Sequence, residues 1–102
     1  MLNPEQQREL LRMARETLER FVLEGVIPLA DAGDSVLAEK KGVFVTLTRG
    51  GNLRGCIGTV MPAEPLYLAV CHKTVESAAR DPRFPPGTGE ELREIEIEIS
   101  VM

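Results

Sequence analysis

The sequence predicts an α+β fold in which two amphipathic helices pack on a mainly antiparallel sheet. Two observations predict it. Apolar residues recur at helical spacing from Leu10 to Val22 and again from Leu68 to Ala79. Elsewhere the period changes to two, which is typical of strands with one buried face. The predicted strand segments are a hairpin over residues 43–60 and a last strand over residues 95–101.

The first helix begins at a capping signal and ends at a glycine. Asn3 can cap the helix, Pro4 suits its first turn, and Gln6 can complete a capping box. The helix is expected to end at or near Gly25, because glycine readily adopts the left-handed conformation that terminates helices. Residues 26–42 carry scattered glycines, a proline and charges, and they indicate an irregular connection.

The hairpin turns at Gly50-Gly51-Asn52, which supplies the positive-φ positions of a tight turn. The last strand, Ile95 to Val101, has apolar odd positions and polar even ones. Exposed strand edges are ordinarily covered or blunted, so this isoleucine-rich strand is expected to need a partner.

The second helix is opened by Pro62 and Pro65. It must end near Asp81, because Pro82 disfavours helical geometry at the residue before it. The segment Thr88–Glu91 has a capping-box pattern and predicts one short helical turn before the last strand.

Length and composition narrow the function classes. The 102 residues fit one domain, over residues 1–102, and the formal charge of −4 with no run of Lys or Arg argues against nucleic-acid binding. The absence of any long apolar run or basic leader leads us to expect neither a membrane span nor a secretory signal. Two cysteines favour neither a disulfide framework nor a four-ligand zinc site, so a reducing cytoplasm is the expected location.

The segment Leu53–Gly58 carries the most specific candidate chemistry. In a regular strand Leu53 and Ile57 point to one face and suit the core, so Arg54 and Cys56 are expected side by side on the opposite face. A guanidinium near a thiol favours the thiolate, which makes Cys56 a candidate nucleophile or redox thiol and Arg54 a candidate anion-binding residue. The alternative is that Cys56 is an ordinary buried cysteine.

Three further residues complete the candidate site. Gly55 and Gly58 are expected to leave backbone open to a ligand, or else only to let a helix cross the sheet closely. Arg83 either lines the same cleft as Arg54 or satisfies carbonyls at a helix end. The predicted binding residues are therefore Arg54, Gly55, Gly58 and Arg83, with Cys56 as the catalytic candidate.

The remaining polar candidates are interpreted as surface residues. His72, with a carboxylate one helical turn later at Glu76, could be a poised base but is favoured as a surface pair. No His, Cys or Asp cluster has metal-ligand spacing, so neither a metal nor a cofactor is expected. Alternation makes the glutamates of the last strand a solvated face: Glu94, Glu96 and Glu98.

Four segments together resemble the AMMECR1 domain family, which in bacteria and archaea includes the protein A component of the AmmeMemoRadiSam system. They are the hexapeptide 53–58, the segment Asp81–Pro86, Glu90-Glu91-Leu92 and the Ile/Glu strand. The resemblance extends over essentially the whole chain and implies longer relatives, of which this chain corresponds to the N-terminal half. The family has no agreed biochemical activity, and its association with Memo-like and radical-SAM proteins implies a protein partner.

The sequence therefore favours a ligand- or protein-binding module centred on Leu53–Gly58. The alternative is an enzyme or enzyme subunit that uses Cys56, with Arg54 binding an anionic group. A third hypothesis is a homodimer that pairs through the exposed edge of the last strand.

Overall fold

The computed structural model describes residues 2–28 and 33–102, so residues 29–32 of the predicted connection lie outside the described residues. It confirms the α+β class and the antiparallel sheet. Neither described helix is both long and apolar enough to cross a membrane. The elements are α1 (Pro4–Glu24), β1 (Val43–Arg49), β2 (Asn52–Thr59), α2 (Leu66–Ala79), a short 3-10 turn (Gly89–Glu91) and β3 (Ile95–Val101).

Helix α1 carries the caps that the sequence predicts. The Asn3 side chain accepts the Gln6 N–H at 2.8 Å, and the Gln6 side chain accepts the Asn3 N–H at 2.9 Å. Gly25 ends the helix with φ at +70°. Capping at both ends satisfies backbone groups that would otherwise lack partners. The helix buries one face: Leu10, Met13, Ala14, Thr17 and Leu18.

The sheet has the order β2-β1-β3, with β1 at its centre and antiparallel to both neighbours. Both helices pack on the face of β1 that carries Val43, Val45 and Leu47, and these side chains are almost fully buried. We call the opposite face the outer face, and no helix of the described ranges covers it. On β1 it carries three half-buried side chains: Phe44, Thr46 and Thr48.

A β-bulge interrupts the pairing of β1 with β2. Leu47 pairs with Gly55 but Thr48 pairs with Leu53, so Arg54 is an extra residue on β2. One extra residue reverses the alternation of side chains between faces. Leu53 therefore pairs with a residue of the outer face and is 43% exposed, and its predicted core position is wrong. Arg54 is buried instead, at 9% exposure.

Helix α2 crosses β2 at very short range. A Cβ added at Gly55 would lie 2.1 Å from the Ser77 carbonyl oxygen. The Ser77 hydroxyl accepts the Ile57 N–H at 3.0 Å and donates to the Val45 carbonyl at 2.8 Å, so it bridges β1 and β2. Gly55 is thus required for the packing of α2 on the sheet. This matches the alternative given above for the motif glycines, that they let a helix cross the sheet closely.

Gly58 is also enclosed by backbone. A Cβ there would lie 2.3 Å from the Val43 carbonyl oxygen and 2.5 Å from the Phe44 Cα. Contacts this short with backbone atoms cannot be relieved by a side-chain rotation. The close approach at each motif glycine is therefore made by the domain's own chain.

Replacing Gly55 with alanine should destabilise the domain by about 2 kcal/mol, because the methyl group overlaps the Ser77 backbone. The measurement is the free energy of unfolding in urea. Gly87→Ala is the control, since its added Cβ would lie 3.5 Å from the nearest atom, an ordinary contact. Equal losses in the two variants would contradict the proposed clash.

Candidate functional site

The two sequence motifs fold against each other at the outer edge of β2. The Cys56 N–H donates to Asp81 Oδ2 at 3.0 Å, and the Cys56 carbonyl accepts from Arg83 Nη2 at 3.5 Å. Both backbone groups that Cys56 directs away from β1 are therefore bonded by side chains of the segment Asp81–Pro86. This segment covers the edge of β2, which an exposed strand ordinarily needs.

Asp81 organises this contact. Its buried carboxylate accepts the Arg83 backbone N–H at 3.0 Å and the Arg83 guanidinium at 3.0 and 2.6 Å. These hydrogen bonds, first those of the Arg83 side chain, hold the pKa of Asp81 well below its usual range, against the opposing effect of burial. Sequence reasoning placed Asp81 only as a helix stop. The Asp-Pro dipeptide was the available signal, because Asp side chains commonly bond backbone amides two residues on.

Arg54 is engaged inside the domain. Its Nε donates to Glu91 Oε2 at 2.8 Å, and its Nη2 donates to the Pro85 carbonyl at 2.9 Å and to Glu91 Oε1 at 3.3 Å. The Phe84 ring lies 5.9 Å from the guanidinium carbon. The expectation that Arg54 stands beside Cys56 on an open face is wrong, because the bulge directs Arg54 to the segment 84–91. Its role in anion binding stays a prediction, and it would require Glu91 to release the guanidinium.

Cys56 lies on the outer face and is half-buried. Its Sγ is 3.2 Å from the Thr46 Oγ1 on the neighbouring strand. The Arg83 side chain, 55% exposed, is the nearby cation. The pKa of Arg83 is raised, chiefly by its hydrogen bond to the Asp81 carboxylate and against the opposing effect of burial. The thiol, the Thr46 hydroxyl and the Arg83 guanidinium form what we call the Cys56 cluster.

His72 and the second cysteine, Cys71, lie apart from the Cys56 cluster. His72 pairs with Glu64 at 3.0 Å on the surface, rather than with Glu76 as the helical spacing predicted. Cys71 is buried on α2, and burial raises the pKa of its thiol. Within residues 2–28 and 33–102, no three His, Cys, Asp or Glu side chains are grouped as metal ligands.

Apolar side chains are exposed at both ends of β2. Leu53, on the outer face, is 43% exposed, and Val60 and Met61, directly after the strand, are 62% and 68% exposed. Gly58, between Cys56 and Val60 in the chain, adds no side chain. The Cys56 cluster is therefore flanked along β2 by exposed apolar residues, which we call the β2 stripe: Leu53, Val60 and Met61.

These features define the class of protein. It is a small α+β domain in which the edge of a strand that contains two glycines is covered by an Asp-Pro-Arg-Phe turn. The AMMECR1 family model matches residues 11–102. The chain belongs to the AMMECR1 family.

Similar proteins are known from archaea. A protein of Methanosarcina acetivorans is 42% identical over 106 residues, which cover 100% of this chain and 53% of that protein. Protein TK0174 of Thermococcus kodakarensis is 42% identical over 99 residues, 91% of this chain and 48% of that protein. The crystal structure of the uncharacterized protein PH0010 from Pyrococcus horikoshii superposes with a TM-score of 0.92 at 38% identity, over 98% of this chain and 52% of that chain. This chain thus spans about half the length of the curated relatives it matches.

Replacing Arg54 with alanine should cost about 3 kcal/mol of unfolding free energy, because Glu91, whose side chain is 12% exposed, would lose its hydrogen bonds to Arg54 and keep only Arg49 at 3.9 Å. Arg49→Ala is the matched control. Arg49 is 43% exposed and also pairs with acidic residues, Glu94 and Glu91. Its loss should cost less than about 1 kcal/mol in the same urea titration. A similar cost for both arginines would contradict the structural role of Arg54.

Asp81→Asn should lower the unfolding temperature at neutral pH. It should also make the unfolding temperature fall less steeply as the pH becomes acidic. Because the folded pKa of Asp81 lies below its ordinary value of 3.8, the folded chain binds this proton less readily than the unfolded chain. The stabilisation is complete above about pH 4 and is lost as the pH falls further. Thermal unfolding of the wild type and of Asp81→Asn at a series of pH values measures the difference. Glu19→Gln is the control, because it also removes one negative charge, but from an exposed position. Its unfolding temperature should depend on pH as that of the wild type does.

Proposed function

We propose that this AMMECR1 domain is a protein-binding module whose contact surface is centred on Leu53–Gly58 and lies on the outer face of the sheet. One observation carries the proposal. The β2 stripe is exposed, and no helix of the described residues packs on the outer face beside it. Val60 and Met61 are adjacent in the chain, and exposed apolar side chains that lie together are typical of sites where another protein binds.

The charges of the site support a protein over a small anion. Arg54 is neutralised by Glu91, and Arg83 is neutralised by two hydrogen bonds to Asp81. With both cations paired, little net positive charge is left to attract a phosphate or carboxylate.

Of the predicted binding residues, Arg83 remains a candidate for direct contact, because its side chain is largely exposed. Gly58 lies against the backbone and the Phe44 side chain of β1, so the close approach at this glycine is made by the domain itself. Gly55 faces α2 and supports the site only by allowing that helix to approach. The partners we propose are the Memo-like and radical-SAM proteins with which the family is associated.

A second candidate function is catalysis by the Cys56 thiol. It is favoured by the position of Sγ on the outer face, 3.2 Å from the Thr46 hydroxyl, and by the Arg83 guanidinium, which bonds the Cys56 carbonyl oxygen at 3.5 Å. A reactive thiol needs a neighbouring cation and access to solvent. If Cys56 is reactive, it should be alkylated by iodoacetamide faster than an exposed reference thiol between about pH 6 and pH 8. An alkylation rate equal to that of the reference thiol would exclude Cys56 as a nucleophile.

Val60→Asp combined with Met61→Asp should weaken binding to the Memo-like or radical-SAM protein at least about tenfold, because two charges enter an apolar contact. The measurement is isothermal titration calorimetry with both purified partners. The control is Leu23→Asp on α1, where Leu23 is 65% exposed and lies outside the outer face.

Two outcomes would contradict the proposal. In the first, neither purified protein binds the wild-type domain. In the second, Leu23→Asp weakens binding as much as the double variant does, which would move the contact away from the outer face.

A further inference from the structure

A hydroxyl group contacts the Cys56 thiol. The Thr46 Oγ1 lies 3.2 Å from the Cys56 Sγ, which is a hydrogen-bond distance for sulfur. Within residues 2–28 and 33–102, no other group forms a hydrogen bond with either of these two atoms. The hydroxyl and the thiol are therefore each other's partner in this part of the chain.

The pairing of the strands brings these two side chains together. Thr46 is directly opposite Cys56 in the register of β1 and β2. The Cys56 N–H and C=O bond to Asp81 and Arg83 on the far side of β2, so Cys56 and Thr46 form a non-hydrogen-bonded pair, in which side chains lie closest. Thr46 is branched at Cβ and has few rotamers, so its hydroxyl is held in a narrow range of positions.

This hydroxyl stabilises the charged form of the thiol more than the neutral form. A neutral thiol can donate its proton to the Thr46 Oγ1, but a thiolate has no proton, so the hydroxyl must then be the donor. A hydrogen bond to an ionised acceptor is about twice as strong as one between neutral groups. In the described ranges no other acceptor competes for the hydroxyl proton, so it can be donated to the Sγ.

Neither arginine of the two motifs favours the thiolate strongly. The Arg83 guanidinium donates to the Asp81 carboxylate at 3.0 and 2.6 Å, and this negative charge weakens the positive field of Arg83 at the thiol. The Arg54 guanidinium bonds to Glu91, away from the outer face. A second group is therefore needed to favour the charged form of Cys56.

We propose that Thr46 is the positioning residue of the Cys56 thiol. Its hydroxyl donates to the thiolate, holds the Sγ at a fixed place on the outer face and thereby raises the reactivity of the cysteine. The assignment rests on catalysis by Cys56, the second candidate function, and names the residue of the neighbouring strand on which that reactivity depends.

Charged groups face this pair of side chains from both neighbouring segments. Arg83 and Asp81 lie at the edge of β2 and bond the Cys56 backbone. On β3, Glu98 is directly opposite Thr46 in register, and it is exposed. The Glu98 carboxylate has the same charge as a thiolate and opposes its formation. Removing this carboxylate should therefore raise the reactivity of Cys56, whereas removing the hydroxyl should lower it.

The test is the rate at which iodoacetamide alkylates Cys56 in the folded chain between about pH 6 and about pH 9. Mass spectrometry of the modified peptides separates Cys56 from Cys71. Thr46→Val keeps the shape of the side chain but removes the hydroxyl, so it should slow alkylation about tenfold at neutral pH. The two rates should converge at high pH, where the thiol is ionised in both proteins. Thr46→Ser keeps the hydroxyl and should restore more than about half of the wild-type rate.

Thr48→Val is the matched control. Thr48 is the next residue of β1 on the outer face, is also half-buried and pairs with Leu53 instead of Cys56. Its replacement should leave the alkylation rate unchanged at every pH. Unfolding in urea checks that each variant is folded.

Two results would overturn the assignment of Thr46. The first is an equal alkylation rate for wild type and Thr46→Val across the pH range. The second is a fall of the rate in Glu98→Gln to the level of Thr46→Val, because the hydroxyl would then act by linking the thiol to the Glu98 carboxylate. The ratio between wild type and Thr46→Val decides the assignment separately from the absolute wild-type rate, which decides whether Cys56 is a nucleophile.

Discussion

The close approach of α2 to β2 is the constraint on which the rest of the structure depends. At Gly55 the helix backbone occupies the space that any Cβ would need, and the Ser77 hydroxyl bonds to backbone groups of both β1 and β2. This contact fixes the position of the C-terminal end of α2 over the sheet. The segment Asp81–Pro86 comes directly after that end of the helix and therefore lies at the edge of β2.

From that position the segment closes one edge of the sheet with side chains. Asp81 and Arg83 bond the backbone of Cys56, and the Pro85 carbonyl accepts from Arg54. Asp81 has a lowered pKa because it stabilises this junction as a carboxylate. The polar groups of Arg54 and Cys56 therefore form hydrogen bonds that join two segments of the domain. The motif leaves the Leu53 side chain and the Cys56 thiol on the outer face.

The covered edge of β2 limits how this side of the sheet can contact another molecule. On the β2 side, edge hydrogen bonding is satisfied, so contact with another molecule would be made through side chains of the outer face.

The sequence by itself determined the order and type of the elements, because caps, turns and hydrophobic period are local properties. The Asn3 capping box, the Gly25 stop and the alternation of β3 are all present as predicted. Only the tertiary structure decided the faces of Leu53 and Arg54. Their positions depend on a bulge in the register between β1 and β2. The alternation of side chains within one strand does not indicate how that strand is registered against its neighbour.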